Sequence, residues 1–180
     1  MNDQDVSVDA LKRALTSTVF ALPEEAIYAH FTMDEAHRIY EETGGFPTLE
    51  SLRWRLYNDV AEGTKELDVR LFYWTTFRVR MLAFQEPNED GTVYVREVKV
   101  PTHQLTGETN HDLELIWHFG QNDFQPRSKC CSVSMADVVE FNDCLYVAAS
   151  FGFKEISEGQ YNELLALDQR DRHFWKLLRD

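Results

Sequence analysis

The 180-residue sequence predicts an α+β fold: helices first, an antiparallel β meander in the centre, then a helix–β-hairpin–helix unit at the C-terminal end. Three observations predict it. Apolar residues recur three or four apart up to Gly63. They alternate one by one through Phe77, Val79, Met81 and Ala83. Cys130–Ile156 then holds two short apolar runs around the dipeptide Asn142-Asp143, a two-residue hairpin signal. The chain is 43% hydrophobic and 13% aromatic, so it can bury a core, and a wholly disordered chain is excluded.

The elements follow from local chemistry. Ser7 or Asp9 can cap a first helix that carries Leu11, Leu15 and Val19 on one face, with Pro23 ending it or starting the next turn. The PEEAIYAHF stretch fits helix or strand. Thr32 and Glu35 form a capping box for a helix that stops at Gly44. Pro47 and Thr48 restart the chain, and Leu49, Leu52, Leu56 and Val60 make a helical stripe that ends near Gly63. Leu67–Trp74 reads as a strand, FRVRMLAF as the next, Pro87–Thr92 as a turn and VYVREVKV as the return. Asn110 can cap a short helix with Leu113, Ile116 and Trp117 inward, closed by Gly120. DVVEF and CLYVAAS are the hairpin, and FKEI continues or pairs again. Ser157 and Gln160 form a second capping box, ahead of a helix that buries Tyr161, Leu164 and Leu165, and further along Phe174, Leu177 and Leu178. The charged DQRDRH section is expected to fray or break it. A boundary in the polar loop 101–109 would divide the chain into 1–105 and 106–180, unless it forms one compact domain.

Charge narrows the partners. The net charge is −13, spread unevenly: residues 1–50 carry 10 acids against 3 bases and residues 101–150 carry 7 against 2, while 51–100 balance at 8 and 8. Such a field repels nucleic acid and anionic membrane; it favours cationic partners, or serves solubility alone. The start, MNDQDVSVDALKR, lacks the basic-then-apolar pattern of a signal peptide, and no apolar run reaches membrane-spanning length, so a cytoplasmic location is expected. Cys130 and Cys131 are adjacent and Cys144 is the third, an odd number that reads as reduced thiols.

No catalytic constellation emerges. The chain has no G-x-S-x-G elbow, no P-loop, no G-x-G-x-x-G, no C-x-x-C and no H-E-x-x-H. His111 and His118 are seven apart, and with Cys130 and Cys131 they outline a mixed nitrogen–sulfur metal site or a thiol centre. His30 and His37 repeat that spacing. Against this, no metal, cofactor or catalytic residue is expected. The acid pairs Glu24-Glu25, Asp34-Glu35, Glu41-Glu42 and Glu89-Asp90 read as helix starts and solvated faces. Arg78 and Arg80, with Arg96 on the hairpin partner, can bind an anion or pair with acids across strands. Some of Trp54, Trp74, Trp117, Trp175 and the twelve Phe can anchor a protein partner.

From Gln121 onward, QNDFQPRSKCCSVSMADVVEFNDCLYVAASFGFKEI resembles the small YodL-like domains of phages, plasmids and large polyvalent proteins. Their shared phrase, close to R-S-x-S-V-G-D-V-V and then Y-x-V-x-S-x-G-F, maps onto Arg127-Ser128, Ser132–Val139, Tyr146, Val147, Ser150, Gly152, Phe153 and Ile156. Ala136 replaces the Gly of that phrase, which relaxes the expectation of a positive φ there. The resemblance covers the C-terminal part only and carries over no enzymatic activity. It implies a phage or mobile-element accessory protein of unknown function, in the cytoplasm of a bacterial host.

Together these readings lead to a non-enzymatic binding protein. Its partner is a host or element protein, with a basic nucleic-acid-binding protein the sharpest version: a DNA mimic or other host defence inhibitor of the anti-CRISPR or anti-restriction kind. The expected surface is Glu24, Glu25, Asp34, Glu35, Glu41 and Glu42, with Gln121, Asn122, Asp123, Phe124 and Arg127 of the polar link. A metal or thiol enzyme and a virion or transfer-apparatus component are the alternatives.

Overall fold

The structure, a computed structural model, describes residues 8–121 and 131–175. The fold is α+β, with helices at the N-terminal end, a five-stranded antiparallel sheet in the centre and helices after it. The chain forms two compact units, one ending at Tyr73 and the other beginning at Trp74. The division expected at 105/106 does not coincide with this one, because the 74–101 hairpin belongs to the same sheet as the C-terminal strands.

The first unit is helical: α1 (Val8–Ala21), α2 (Glu24–Ala29), α3 (Met33–Thr43) and α4 (Leu49–Ala61). Val19, Leu22, Ile27, Ile39, Leu52 and Leu56 are buried, whereas Leu11, expected inward, is exposed. The ambiguous PEEAIYAHF stretch becomes α2, with Pro23 at its N-cap. The Thr32–Glu35 capping box forms as expected, and Gly44 closes α3 at φ +72, a left-handed cap that glycine adopts without strain. Thr48 caps α4 through the Ser51 N–H. One Arg53 nitrogen, Nη1, lies 3.2, 3.2 and 2.9 Å from the carbonyl oxygens of Val19, Phe20 and Leu22, satisfying acceptors that the end of α1 leaves open.

Leu67–Trp74 is not a strand. Val69–Phe72 forms a single 3₁₀ turn whose Asp68 side chain accepts the Arg70 N–H. The alternating Leu67, Val69, Leu71 and Tyr73 mimic a strand, but Leu71 is the buried one, and Val69 and Tyr73 are exposed.

The second unit contains β1 (Trp74–Arg80), β2 (Val95–Pro101), α5 (Thr109–Phe119), β3 (Val138–Phe141), β4 (Cys144–Ala148), β5 (Phe153–Ile156), α6 (Glu158–Ala166) and α7 (Gln169–Phe174). The sheet runs β2-β1-β3-β4-β5, each neighbour antiparallel. One face sets Phe77, Val79, Val98, Val100, Val139 and Phe141 against Leu113, Ile116 and Phe119 of α5. The other sets Val138, Leu145, Val147 and Ile156 against Tyr161 and Leu164 of α6 and against Trp175. Asn142 and Asp143, at φ 48 and 62, supply the two positive φ values of a type I′ connection. The long C-terminal helix breaks: α6 ends before Leu167–Asp168, and the charged section forms the separate α7. Leu177 and Leu178 lie outside the described residues.

Several local expectations change. β1 stops at Arg80 instead of running on to Ala83, because the Leu82 and Ala83 N–H groups leave the ladder and donate to Asp137 Oδ1 at 2.6 and 3.0 Å. Asp137 Oδ2 accepts Ser134 N–H at 2.8 Å, so this buried carboxylate ties its own turn, 134–137, to the segment after β1. Ala136 does hold a positive φ, +76, contrary to the relaxed expectation; its N–H donates to the Ala148 carbonyl. Glu108, not Asn110, caps α5, accepting the Asn110 and His111 N–H groups. The register pairs Arg96 with Val79, which turns it to the α5 face, away from Arg78 and Arg80.

Candidate protein-binding surface

α3 and α4 are joined by a short link in which Gly44 is left-handed and Pro47 precedes the Thr48 cap. Phe46 stands between them with no periodic face to bury it, and it is 68% exposed. Its ring rests against Tyr40, with centroids 5.0 Å apart. On α4, Trp54 is 47% exposed; it meets Phe20 edge-on at 4.8 Å and Tyr57 at 5.8 Å. Phe46 and Trp54 both line a groove of about 600 Å³ whose walls also include Ile39, Thr43, Pro47 and Leu52. Isolated exposed aromatics are ordinary, but here two ring clusters each send one ring, Phe46 and Trp54, to the wall of one groove, and clustered exposed apolar side chains mark interaction sites.

The expected acids distribute unequally around this unit. Glu41 and Glu42 are exposed in the last turn of α3, Glu50 is exposed in the first turn of α4, and Asp34 is exposed in the first turn of α3. Glu42 and Arg55 make an ion pair at 3.2 Å with both side chains well exposed. Glu25, expected on the surface, is buried, and Glu24 is half-buried beside it at the start of α2. Glu35 is engaged within the unit: its Oε2 accepts the Thr32 N–H at 2.7 Å, and its Oε1 accepts from Lys65 Nζ at 2.8 Å. Burial pushes the Glu35 carboxyl upward, but Lys65 and Thr32 outweigh burial and hold it below the usual carboxylate range.

His30 is structural. Its Nδ1 donates to the Ala26 carbonyl at 2.6 Å and its Nε2 accepts the Asp68 N–H at 3.0 Å, which fixes the neutral ring. Lys65 Nζ donates to the His30 carbonyl at 2.6 Å. Burial lowers the His30 pKa against the smaller raising effects of Ala26 and Asp68. His37 is exposed on α3 and does not join it.

The remaining expected chemistry disperses. His111 Nδ1 sits 3.3 Å from Asp112 Oδ1, and His118 packs against Phe119. The Cys131 sulfur accepts from Gln85 Nε2, while Cys144 lies on β4. Among the described residues, no three His, Cys, Asp or Glu side chains are grouped to hold a metal. Arg78 and Arg80 both pair with Glu140 on β3, and Arg80 also lies 4.5 Å from the centroid of the Tyr161 ring. Arg96 donates to the carbonyls of Gly120 and Cys131. Gln121 Nε2 donates to the carbonyls of Trp117 and Val133, an internal role. Asn122, Asp123, Phe124, Arg127 and Cys130 lie outside the described residues.

Of the four tryptophans raised as anchors, Trp54 is the exposed one; Trp175 is buried, and Trp74 and Trp117 pack on the sheet core. Sequence reasoning did not single out Phe46 or Phe20 among the twelve Phe, and it missed Tyr40. The signal for Phe46 was its position between Gly44-Gly45 and Pro47, where neither helix can continue to bury it. Among the described residues, no helix is long and apolar enough to cross a membrane. Compared with protein-family models, with curated proteins and with solved structures, the chain matches none.

Proposed function

We propose that this chain is an acidic accessory protein of a phage or other mobile element that acts by binding a protein, with the groove between α3 and α4 as its contact surface. The observation that carries the reading is the pair of exposed aromatic clusters, Tyr40–Phe46 and Phe20–Trp54–Tyr57, whose Phe46 and Trp54 both line that groove, on a unit whose residues 1–50 carry 10 acids against 3 bases. Aromatic anchors in a desolvated centre dominate binding energy, and charges at the rim set partner choice and association rate. The partner is a basic protein of the host or the element, and inhibition of a host nucleic-acid-binding system fits that charge. Mimicry of a phosphate ridge by the six expected acids is disfavoured, since Glu25 is buried and Glu35 is held by Thr32 and Lys65.

The mobile-element origin rests on the YodL-like phrase. Left-handed Ala136, where that phrase carries Gly, and Asp137, which gathers three backbone N–H groups, support reading the phrase as a folding unit.

The test is capture from bacterial lysate across a salt series, with wild-type protein beside Trp54→Ala and Phe46→Ala. A discrete basic partner, weakened by salt and lost with both substitutions, is expected. Capture of no partner, or equal capture by the substituted proteins, refutes the reading.

A further inference from the structure

The groove has a length as well as a volume. Its lining positions on α4 run from Thr48 to Asn58. At about 1.5 Å per residue that is about 15 Å, or three helical turns. A slot for one side chain would be shorter. An apolar floor of Ile39 and Leu52 under an aromatic rim of Phe46 and Trp54 is the geometry that receives the apolar stripe of a helix laid lengthwise.

Charge selects among occupants. Residues 1–50 carry 10 acids and 3 bases, so a second copy of this chain would set like charge against like. Nucleic acid and anionic membrane are repelled by the same field. The exposed Glu42 stands in the last turn of α3, where the helix end is itself negative, and reaches the groove through its pair with Arg55. Resting on the protein-binding reading above, we propose that the α3–α4 groove holds a basic amphipathic helix of the partner: its apolar side chains enter between Phe46 and Trp54, and its Lys or Arg meets Glu42 beside Arg55.

Arg55 then has a defined part. It lines the groove and pairs with Glu42, and both side chains are largely exposed. An exposed pair of this kind is worth about 0–1 kcal/mol, so an incoming cation can displace it. Arg55 is an internal competitor for the partner's charge.

The probe is a synthetic helical peptide of about fifteen residues, with Leu at i, i+3, i+4 and i+7 and Lys or Arg at the other positions. It is titrated into the isotope-labelled full chain at about 0.15 M salt, and amide and indole NMR shifts are followed. Expected are saturable shifts at Ile39, Thr43, Leu52 and Trp54. Trp54→Ala and Glu42→Lys should each weaken binding by about fivefold or more, and Arg55→Gln should tighten it by about twofold to fivefold. The substituted positions are exposed, and an unchanged spectrum away from the groove shows that the fold is kept. Shifts scattered over acids of both units overturn the proposal. So does a Leu→Ser version of the peptide that binds as well, or no saturable shift. If the peptide fails while lysate capture still depends on Trp54 and Phe46, the helix-in-groove inference falls and the protein-binding reading stands. If the peptide binds the groove and no cellular protein is captured, the functional reading falls instead.

Discussion

Ala136 carries φ +76, and its amide bonds the Ala148 carbonyl, so the chain must turn left-handed at a residue with a Cβ. A left-handed L-residue costs about 1–2 kcal/mol, part of which glycine gives back through its looser unfolded state. Ala136→Gly is therefore expected to raise stability by about 0.5–1 kcal/mol in a urea melt. The neighbouring Asp137 is the opposite case. Its carboxylate accepts from Leu82, Ala83 and Ser134 at 1% exposure, and Asp137→Ala should cost about 3 kcal/mol or more by leaving buried donors unpaired. Gly120 is required for a different reason: a Cβ there would lie 2.5 Å from Val133 Cγ2 and 2.9 Å from the Ile116 carbonyl. Gly120→Ala should destabilise by about 1–3 kcal/mol, read as a lower melting midpoint. Sequence marked Gly120 as a helix stop but gave no sign of this close approach. Val133 is thirteen positions away, and the contact exists only after folding.

At the level of elements, structure that is decided within a few residues could be read in advance. Both capping boxes, the Gly44 stop and the Asn142-Asp143 turn form as expected, because each is a bond or a φ value set by near neighbours. Elements decided at a distance were misread. β1 loses its last residues to Asp137, more than fifty positions away, and Leu67–Trp74 becomes a 3₁₀ turn capped by Asp68 and tied to His30. That tie titrates. His30 accepts the Asp68 N–H through Nε2, and a proton there would set donor against donor. Its folded pKa lies below the ordinary histidine value of about 6.5, so its contribution to stability is complete above that value and is lost as the pH falls through the folded pKa. The melting midpoint of the helical unit should therefore fall between about pH 7 and about pH 5, while Glu35, itself held low, stays ionised. His30→Gln should remove that part of the pH dependence; an unchanged slope would count against the His30 tie.

At the scale of the whole molecule, the α+β order was legible from the change of period, whereas the joining of meander and hairpin in one sheet covered on both faces was not, nor was the division of the chain. The polar loop 101–109 looks like a linker, but β1 pairs with β3 across it, through Arg78–Glu140, Val79–Val139 and Arg80–Val138. A fragment of residues 74–180 should fold cooperatively by circular dichroism. A fragment of residues 106–180 should not, because it lacks β1 and half of the α5-facing core. The proposed surface was half legible. Its charge is a matter of counting, and Glu41 and Glu42 are exposed. The aromatic groove depends on which rings the packing leaves outside, and Trp54 differs from Trp175 in nothing the sequence displays. The most direct test of the binding account is a photo-crosslinking residue placed at position 46 in bacterial cells, compared with one at position 151, where Phe151 is 91% exposed on the sheet unit. The account predicts one discrete crosslinked protein, basic in composition, from position 46 and none from position 151. Crosslinks to that protein from position 151 alone, equal crosslinks from both, or none from either would contradict it.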